Sequence, residues 1–161
     1  MNATRARIRQ VVDWNAALWA GLISGLVFLV VDILLSAAFL GSPWVYMRII
    51  ASLVLGSAVL PPPAGFDLSV FLVAVVVQVL LSLVYASLLA VIIHRWGLIV
   101  GILGGAIFGF AIYLINFYTL SFFFPWFYPY RSWIILWGHV LFGALAGGLY
   151  EALEVEKFTK E

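Results

Sequence analysis

The chain has 161 residues, 66% of them hydrophobic and only 9% charged, with a formal net charge of +1. A water-soluble domain of this length carries about a quarter charged residues, and no core of this size hides so much apolar surface from water. The composition therefore excludes an ordinary soluble domain and makes lipid the expected solvent. With no basic patch to hold a phosphate backbone, it excludes a nucleic-acid partner, and the absence of cysteine excludes disulfides and thiolate sites.

A helical span needs about 20 mostly apolar residues. The opening MNATRARIRQVVDW leads into the first such run, from about Trp14 to Leu40. It begins like a signal peptide, but the apolar run is too long and SAAFLGS is a weak cleavage match, so the segment is read as a retained first span. Next comes YMRIIASLVLGSAVLPPP, whose apolar part, Ile49 to Leu60, is too short to cross at helical rise. Arg48 precedes it and Pro61 to Pro63 end it. The expectation is a short interfacial or re-entrant helix over 45–60, between the first and second spans. The rival is a fifth span, which would put the termini on opposite sides. Three further runs follow, over about 68–93, 98–120 and 133–150. Helices are required because lipid cannot satisfy an open backbone, and so few strands cannot close a barrel. The fold class expected is all-α: one polytopic membrane domain over 1–161 with four transmembrane helices. The tail EALEVEKFTKE reads as a frayed helical extension.

Positive charge sets the orientation. Arg5, Arg7 and Arg9 precede the first span, Arg95 lies in the turn HRWG, and Lys157 and Lys160 follow the last span. With four spans these share one side, opposite Arg48 and Arg131. A multi-pass protein of the cell inner membrane, with both termini cytoplasmic, is the expected arrangement. Trp14, Trp96, Trp126 and Trp133 fall near span ends, where amphipathic rings settle. The cluster FFFPWFYPYRSW, with Pro125 and Pro129, reads as an external interface anchor.

Inside the spans stand Asp32, Gln78, Asn116 and His139, one per helix. A helix turns about 100° per residue, so faces can be compared. Gly21, Gly25, Asp32 and Ser36 share one stripe, as do Gln78, Ser82 and Tyr85. Gly101, Gly105, Gly109 and Asn116 share another, and His139, Gly143, Ala146 and Tyr150 a fourth. Small residues let helix backbones approach closely, and polar residues on the same stripe avoid lipid. In depth, Asp32, Asn116 and His139 meet in the outer half, with Gln78 just below. Arg48 is placed to reach down toward Asp32 by snorkelling, and Tyr113 or Tyr118 to add a hydroxyl. A carboxylate in lipid pairs, faces a cavity or serves transport. Asp32 is thus a member of a hydrogen-bonded knot locking the helices, or of an ion or proton site, or it stands near the outer headgroups.

His94 sits at the opposite edge of the membrane from His139, which disfavours a bis-histidine haem. His94 and Arg95 suit anionic headgroups. No cofactor and no metal are expected. No serine–histidine–acid arrangement is visible, and GILGGAIFGFA lies inside a span without the strand and acidic residue of a dinucleotide site, so no enzyme is expected.

With GLISGLVF opening the first helix, WVYMRIIASLVLG in the short segment, GILGGAIFGFAIYLINF in the third helix and GHVLFGALAGG in the last, the layout resembles the YagU-like family of small bacterial inner-membrane proteins. The matching positions are Gly21, Gly25, Gly104, Pro125, Gly138 and His139, within a likeness covering roughly 16–148. The resemblance implies a fold rather than an activity. The chain departs from it in lacking a long polar insert after the first helix and in placing Asn116 where a histidine would stand. Two functions follow from the residues themselves. One is a non-catalytic accessory or assembly subunit of a larger membrane complex, its partners the bilayer, other membrane subunits or a second copy. The other is a small oligomeric transporter or channel for a proton, ion or small solute, built around the polar cluster.

Overall fold

The computed structural model describes residues 8–155 and 157–160. Arg5 and Arg7, on which the orientation reading partly rests, lie outside the described residues. Helix α1 covers Trp14–Phe39, α2 Val45–Leu55, α3 Leu68–Ile93, α4 Leu98–Leu114 and α5 Trp133–Leu153. Helix α4 continues through a π turn, Ile115–Thr119, and a 3-10 turn, Leu120–Phe122; a second 3-10 segment, Pro125–Tyr130, leads to α5. Four helices are long and apolar enough to cross a membrane: Trp14–Phe39, Leu68–Ile93, Leu98–Phe122 and Trp133–Leu153. The shorter apolar helix α2 stands between the first and second of them.

Local chemistry sets the helix ends. Asp13 caps α1 by accepting from the Asn15 amide, Asp67 caps α3 at Ser69 and Val70, and Ser132 caps α5 at Ile135. Helix α2 stops at Gly56, whose φ of 78° suits a residue without Cβ. The short helix is therefore briefer than the expected 45–60, with only a 3-10 turn, Ser57–Val59, beyond the break.

The Asp67 carboxyl lies below its ordinary range because the Ser69 hydroxyl and then the Val70 amide hydrogen-bond its charged form. A depressed carboxylate stabilises the fold above its unfolded value and ceases to do so as pH falls through the folded value. Acid titration of melting temperature should therefore show a stability loss beginning below about pH 4. Asp67→Asn, which still caps but does not titrate, should flatten that step.

Helix α5 lies centrally, packed closely on α4 and also on α1, while α1 packs on α3 and α2 lies along α3. Small residues set these distances. A Cβ on Gly25 would stand 2.5 Å from the Ser82 hydroxyl, and one on Gly21 3.0 Å from both the Ser82 carbonyl and the Ala86 methyl. Between α4 and α5 the approach is closer still. A Cβ on Gly105 would collide with the Gly143 carbonyl, one on Gly109 with the His139 carbonyl, and one on Gly143 with the Gly105 carbonyl. At Gly101 it would meet the Glu151 side chain at 2.5 Å. This is backbone-to-backbone packing of the kind small residues permit in membranes.

The tail differs from the sequence expectation. Helix α5 ends at Leu153, and Lys157–Lys160 forms a strand, β2, paired antiparallel with β1, Ile8–Val11. Val11 stands opposite Lys157, and Ile8 opposite Lys160. Beside this ribbon the Tyr150 hydroxyl accepts from the Asp13 amide at 3.3 Å and donates to Glu154 at 3.0 Å, and the Val155 amide donates to Asp13 at 3.3 Å. The segments Ile8–Val11 and Lys157–Lys160 are thus tied at one face of the bundle, here called the terminal face. The opposite, loop face carries α2, the prolines and the aromatic 3-10 segments.

Candidate functional site: a polar chain beside an aromatic cavity

Three helices are joined by one directed chain of hydrogen bonds. The Tyr85 hydroxyl on α3 donates to Asn116 Oδ1 at 3.1 Å. Asn116 Nδ2 lies 3.4 Å from His139 Nε2 on α5, and His139 Nδ1 lies 2.8 Å from the Ile135 carbonyl one turn back. A carbonyl only accepts, so the imidazole proton is assigned to Nδ1, which leaves Nε2 to accept from the amide. Each group then has one compatible role. Phe28, Tyr113 and Phe117 stand edge-on around the imidazole with centroids 5.2, 5.8 and 5.8 Å away.

The π turn places Asn116 for this task. One residue is inserted into the helical ladder at Ile115–Thr119, a device frequent at functional positions. The Phe117 carbonyl there accepts from Arg131 Nε at 2.6 Å, while Arg131 also donates to Ser121 at 2.8 Å. The Arg131 guanidinium lies between the Tyr118 and Tyr128 rings, 4.1 and 4.0 Å from their centroids. Arg131 is therefore built into the fold.

A cavity of about 140 Å³ lies beside the chain, lined from all five helices. Phe28, Tyr46, Tyr85, Phe117, Phe127 and Phe142 line it together with aliphatic side chains, with Gln78, Asn116 and His139 on its polar side. Gln78 is only 5% exposed. It takes no part in the Tyr85–Asn116–His139 hydrogen bonds and borders the cavity beside that chain.

Asp32 is likewise apart from Asn116 and His139. Its carboxyl is hydrogen-bonded by the Tyr46 hydroxyl of α2, while Oδ2 is buried without a partner. Asp32 Oδ1 also lies 3.2 Å from where a Cβ on Gly138 would stand. Removing the donor with Tyr46→Phe should cost about 1–2 kcal/mol in detergent unfolding, since it strips a buried carboxyl of its side-chain partner. Adding Asp32→Leu to that variant should restore much of the loss, because removing both polar partners together costs less than orphaning one.

Arg48 does not reach Asp32. Its guanidinium donates to the Val59 carbonyl at 2.7 Å and to the Gly65 carbonyl at 3.0 and 3.2 Å, clamping the loop that returns from α2 to α3. Backbone carbonyls left over by the proline-rich loop offer nearer partners than a carboxyl already served by Tyr46. Trp126, expected near a span end, is half-buried. Its indole N–H donates to Ser52 of α2 at 3.1 Å, so the ring pins the aromatic segment to the bundle. Trp14, Trp96 and Trp133 are exposed.

His94 caps α3 at the terminal face, close to the Val91 carbonyl at 3.0 Å, and accepts from Arg95 at 3.1 Å. Among the described residues no group of three or more His, Asp or Glu side chains is placed to hold a metal ion. Tyr113 and Tyr118, the expected hydroxyl donors, do not enter the chain; Tyr85 does. The available signal was its stripe, shared with Gln78 and Ser82. Tyr46 carried no such signal, since its pairing with Asp32 depends on how α2 folds back. Comparison with family models, curated proteins and solved structures gives no match.

Proposed function

We propose that this integral membrane protein is a non-catalytic accessory or assembly subunit, holding partner membrane helices against its lipid-facing surface. What supports this over transport is where the polar groups end. Gln78, Asn116 and His139 lie in the loop-face halves of their helices, and Tyr85, from the other half of α3, reaches Asn116. Toward the terminal face the interhelical space is lined largely by the buried apolar residues Ala17, Ala20, Ala86, Leu89, Ala90 and Ile93, with the Ser24 and Ser82 hydroxyls among them. Among the described residues that half holds few polar side chains for an ion, and the Ser24 hydroxyl is already spent on the Ala20 carbonyl. The α4 surface carrying Ile99, Leu103 and Ile107 is 74, 60 and 71% exposed, a broad apolar face for another helix. A cell inner membrane location with cytoplasmic termini, and kinship with YagU-like proteins, belong to the same proposal. They draw support from the Arg and Lys distribution and from the layout respectively.

The oligomeric transporter is the second reading, favoured by one observation: the unpartnered Oδ2 of Asp32. The test combines two measurements. Photo-crosslinkers at Ile99, Leu103 and Ile107 in native membranes should yield adducts with a distinct protein chain. Proteoliposomes holding the purified chain should conduct protons and monovalent cations no faster than empty ones. Flux that vanishes on Asp32→Asn, with crosslinks only between copies of this chain, would replace the subunit proposal by the transporter.

A further inference from the structure

We propose that the cavity between the helices binds a small, uncharged, flat ring that carries a carbonyl or hydroxyl oxygen, with Gln78 as the hydrogen-bonding group that receives it. Size comes first. A cavity of about 140 Å³ is comparable to the apolar cavities that take up a single benzene ring. Shape follows from the wall. Six aromatic side chains line it, Phe28, Tyr46, Tyr85, Phe117, Phe127 and Phe142, and such rings favour a flat guest in offset or edge-on contact. Charge follows from what is missing in that wall: its polar members are amides, hydroxyls and an imidazole, with no carboxylate, lysine or arginine, so an ion would lose its hydration without a counter-charge.

The polar side fixes the rest. Tyr85, Asn116 and His139 already serve one another. Gln78 does not: the residue is 5% exposed, borders the cavity, and its amide, open to that space, makes no hydrogen bond to a described residue. An amide facing an apolar cavity is left with unused hydrogen-bonding capacity, and a primary amide can donate to a carbonyl or accept from a hydroxyl. Water alone is a poor occupant, because a buried water needs several polar partners and the wall is dominated by apolar atoms. Entry is from the side. Helix α4 packs on α5 and only thinly on α3. The rim residues Leu53, Leu81, Tyr85, Asn116 and Leu120 are partly exposed, so a ring dissolved in the bilayer or one partitioning from water can reach the cavity.

The full chain in phospholipid nanodiscs, titrated calorimetrically against empty discs, tests this. The probes are 4-ethylphenol, supplied from water, and a decyl-tailed benzoquinone, supplied within the bilayer. At least one should bind saturably, one per chain. Binding of the phenol assigns a water-borne source, and binding of the tailed ring alone a bilayer-borne one. Gln78→Leu should weaken binding about ten-fold, the loss of one hydrogen bond, and toluene should bind native protein more weakly than 4-ethylphenol by a similar factor. Leu81→Phe, which narrows the rim without touching the polar side, should abolish binding and keeps the test open where Gln78→Leu fails to fold. No saturable binding, undiminished binding to folded Gln78→Leu, or toluene binding as tightly as the phenol would each overturn the proposal.

Discussion

Gly105→Leu should separate α4 from α5 and unfold the protein in detergent at temperatures where the native chain is stable. The reason is local and steric. Even a single Cβ at Gly105 would collide with the Gly143 carbonyl, and the obstacle is backbone on a helix itself pinned by Gly101 and Gly109 contacts. No rotamer relieves that. Gly105→Ala alone should cost about 1–3 kcal/mol, the usual range for overpacking, and leucine considerably more. The neighbouring glycine supplies the control. At Gly104 a Cβ would find only the Ile93 methyl, at an ordinary 3.6 Å, so Gly104→Ala should leave the melt unchanged. Both variants lose the same glycine flexibility, so a difference between them isolates the contact. Gly143→Ala should be as harmful as Gly105→Ala, and the double variant less than additive, because the two share one interface. Equal melting of Gly104→Ala and Gly105→Ala would show that the helices do not meet as described.

The spanning helices and the short helix between the first two were legible because lipid leaves the sequence little choice. A run of about 20 apolar residues in a membrane protein has to be a helix, and prolines at 61–63 have to end one. The glycine positions at Gly101, Gly105, Gly109 and Gly143 were readable as a face, because periodicity survives without knowing the partner. Which face each meets was not. Arg48 illustrates the limit: on sequence its strongest attraction is the carboxyl of Asp32, yet the folded loop presents carbonyls closer by. The π turn had no sequence marker, because an inserted residue leaves composition and hydropathy untouched. It nevertheless carries Asn116, which meets Tyr85 and His139. The tail was misread as helix because a short stretch of mixed charge fits either state. Its strand exists through pairing with residues about 150 positions earlier, which no local window sees.

Asn116→Leu should produce the largest loss among the polar positions, about 2 kcal/mol in reversible unfolding. The leucine removes the acceptor for the half-buried Tyr85 hydroxyl and the donor to the buried His139 Nε2 together, stranding a group on each of two other helices. A single interhelical hydrogen bond in a membrane averages less than this, about 0.6 kcal/mol, so the expected excess comes from orphaning two groups at once. Tyr85→Phe tests that account. Alone it should cost about 1 kcal/mol; in the Asn116→Leu background it should cost nothing or stabilise, since the hydroxyl it removes is already stranded. His139 gives an independent readout. Its Nδ1 proton is held by the Ile135 carbonyl and not by Asn116, so nitrogen NMR of the Asn116→Leu variant should retain the Nδ1–H tautomer while the Nε2 resonance moves toward that of an unbonded nitrogen. Additive losses for Tyr85→Phe and Asn116→Leu, or a change of tautomer in the variant, would mean that Tyr85, Asn116, His139 and Ile135 do not form one directed chain.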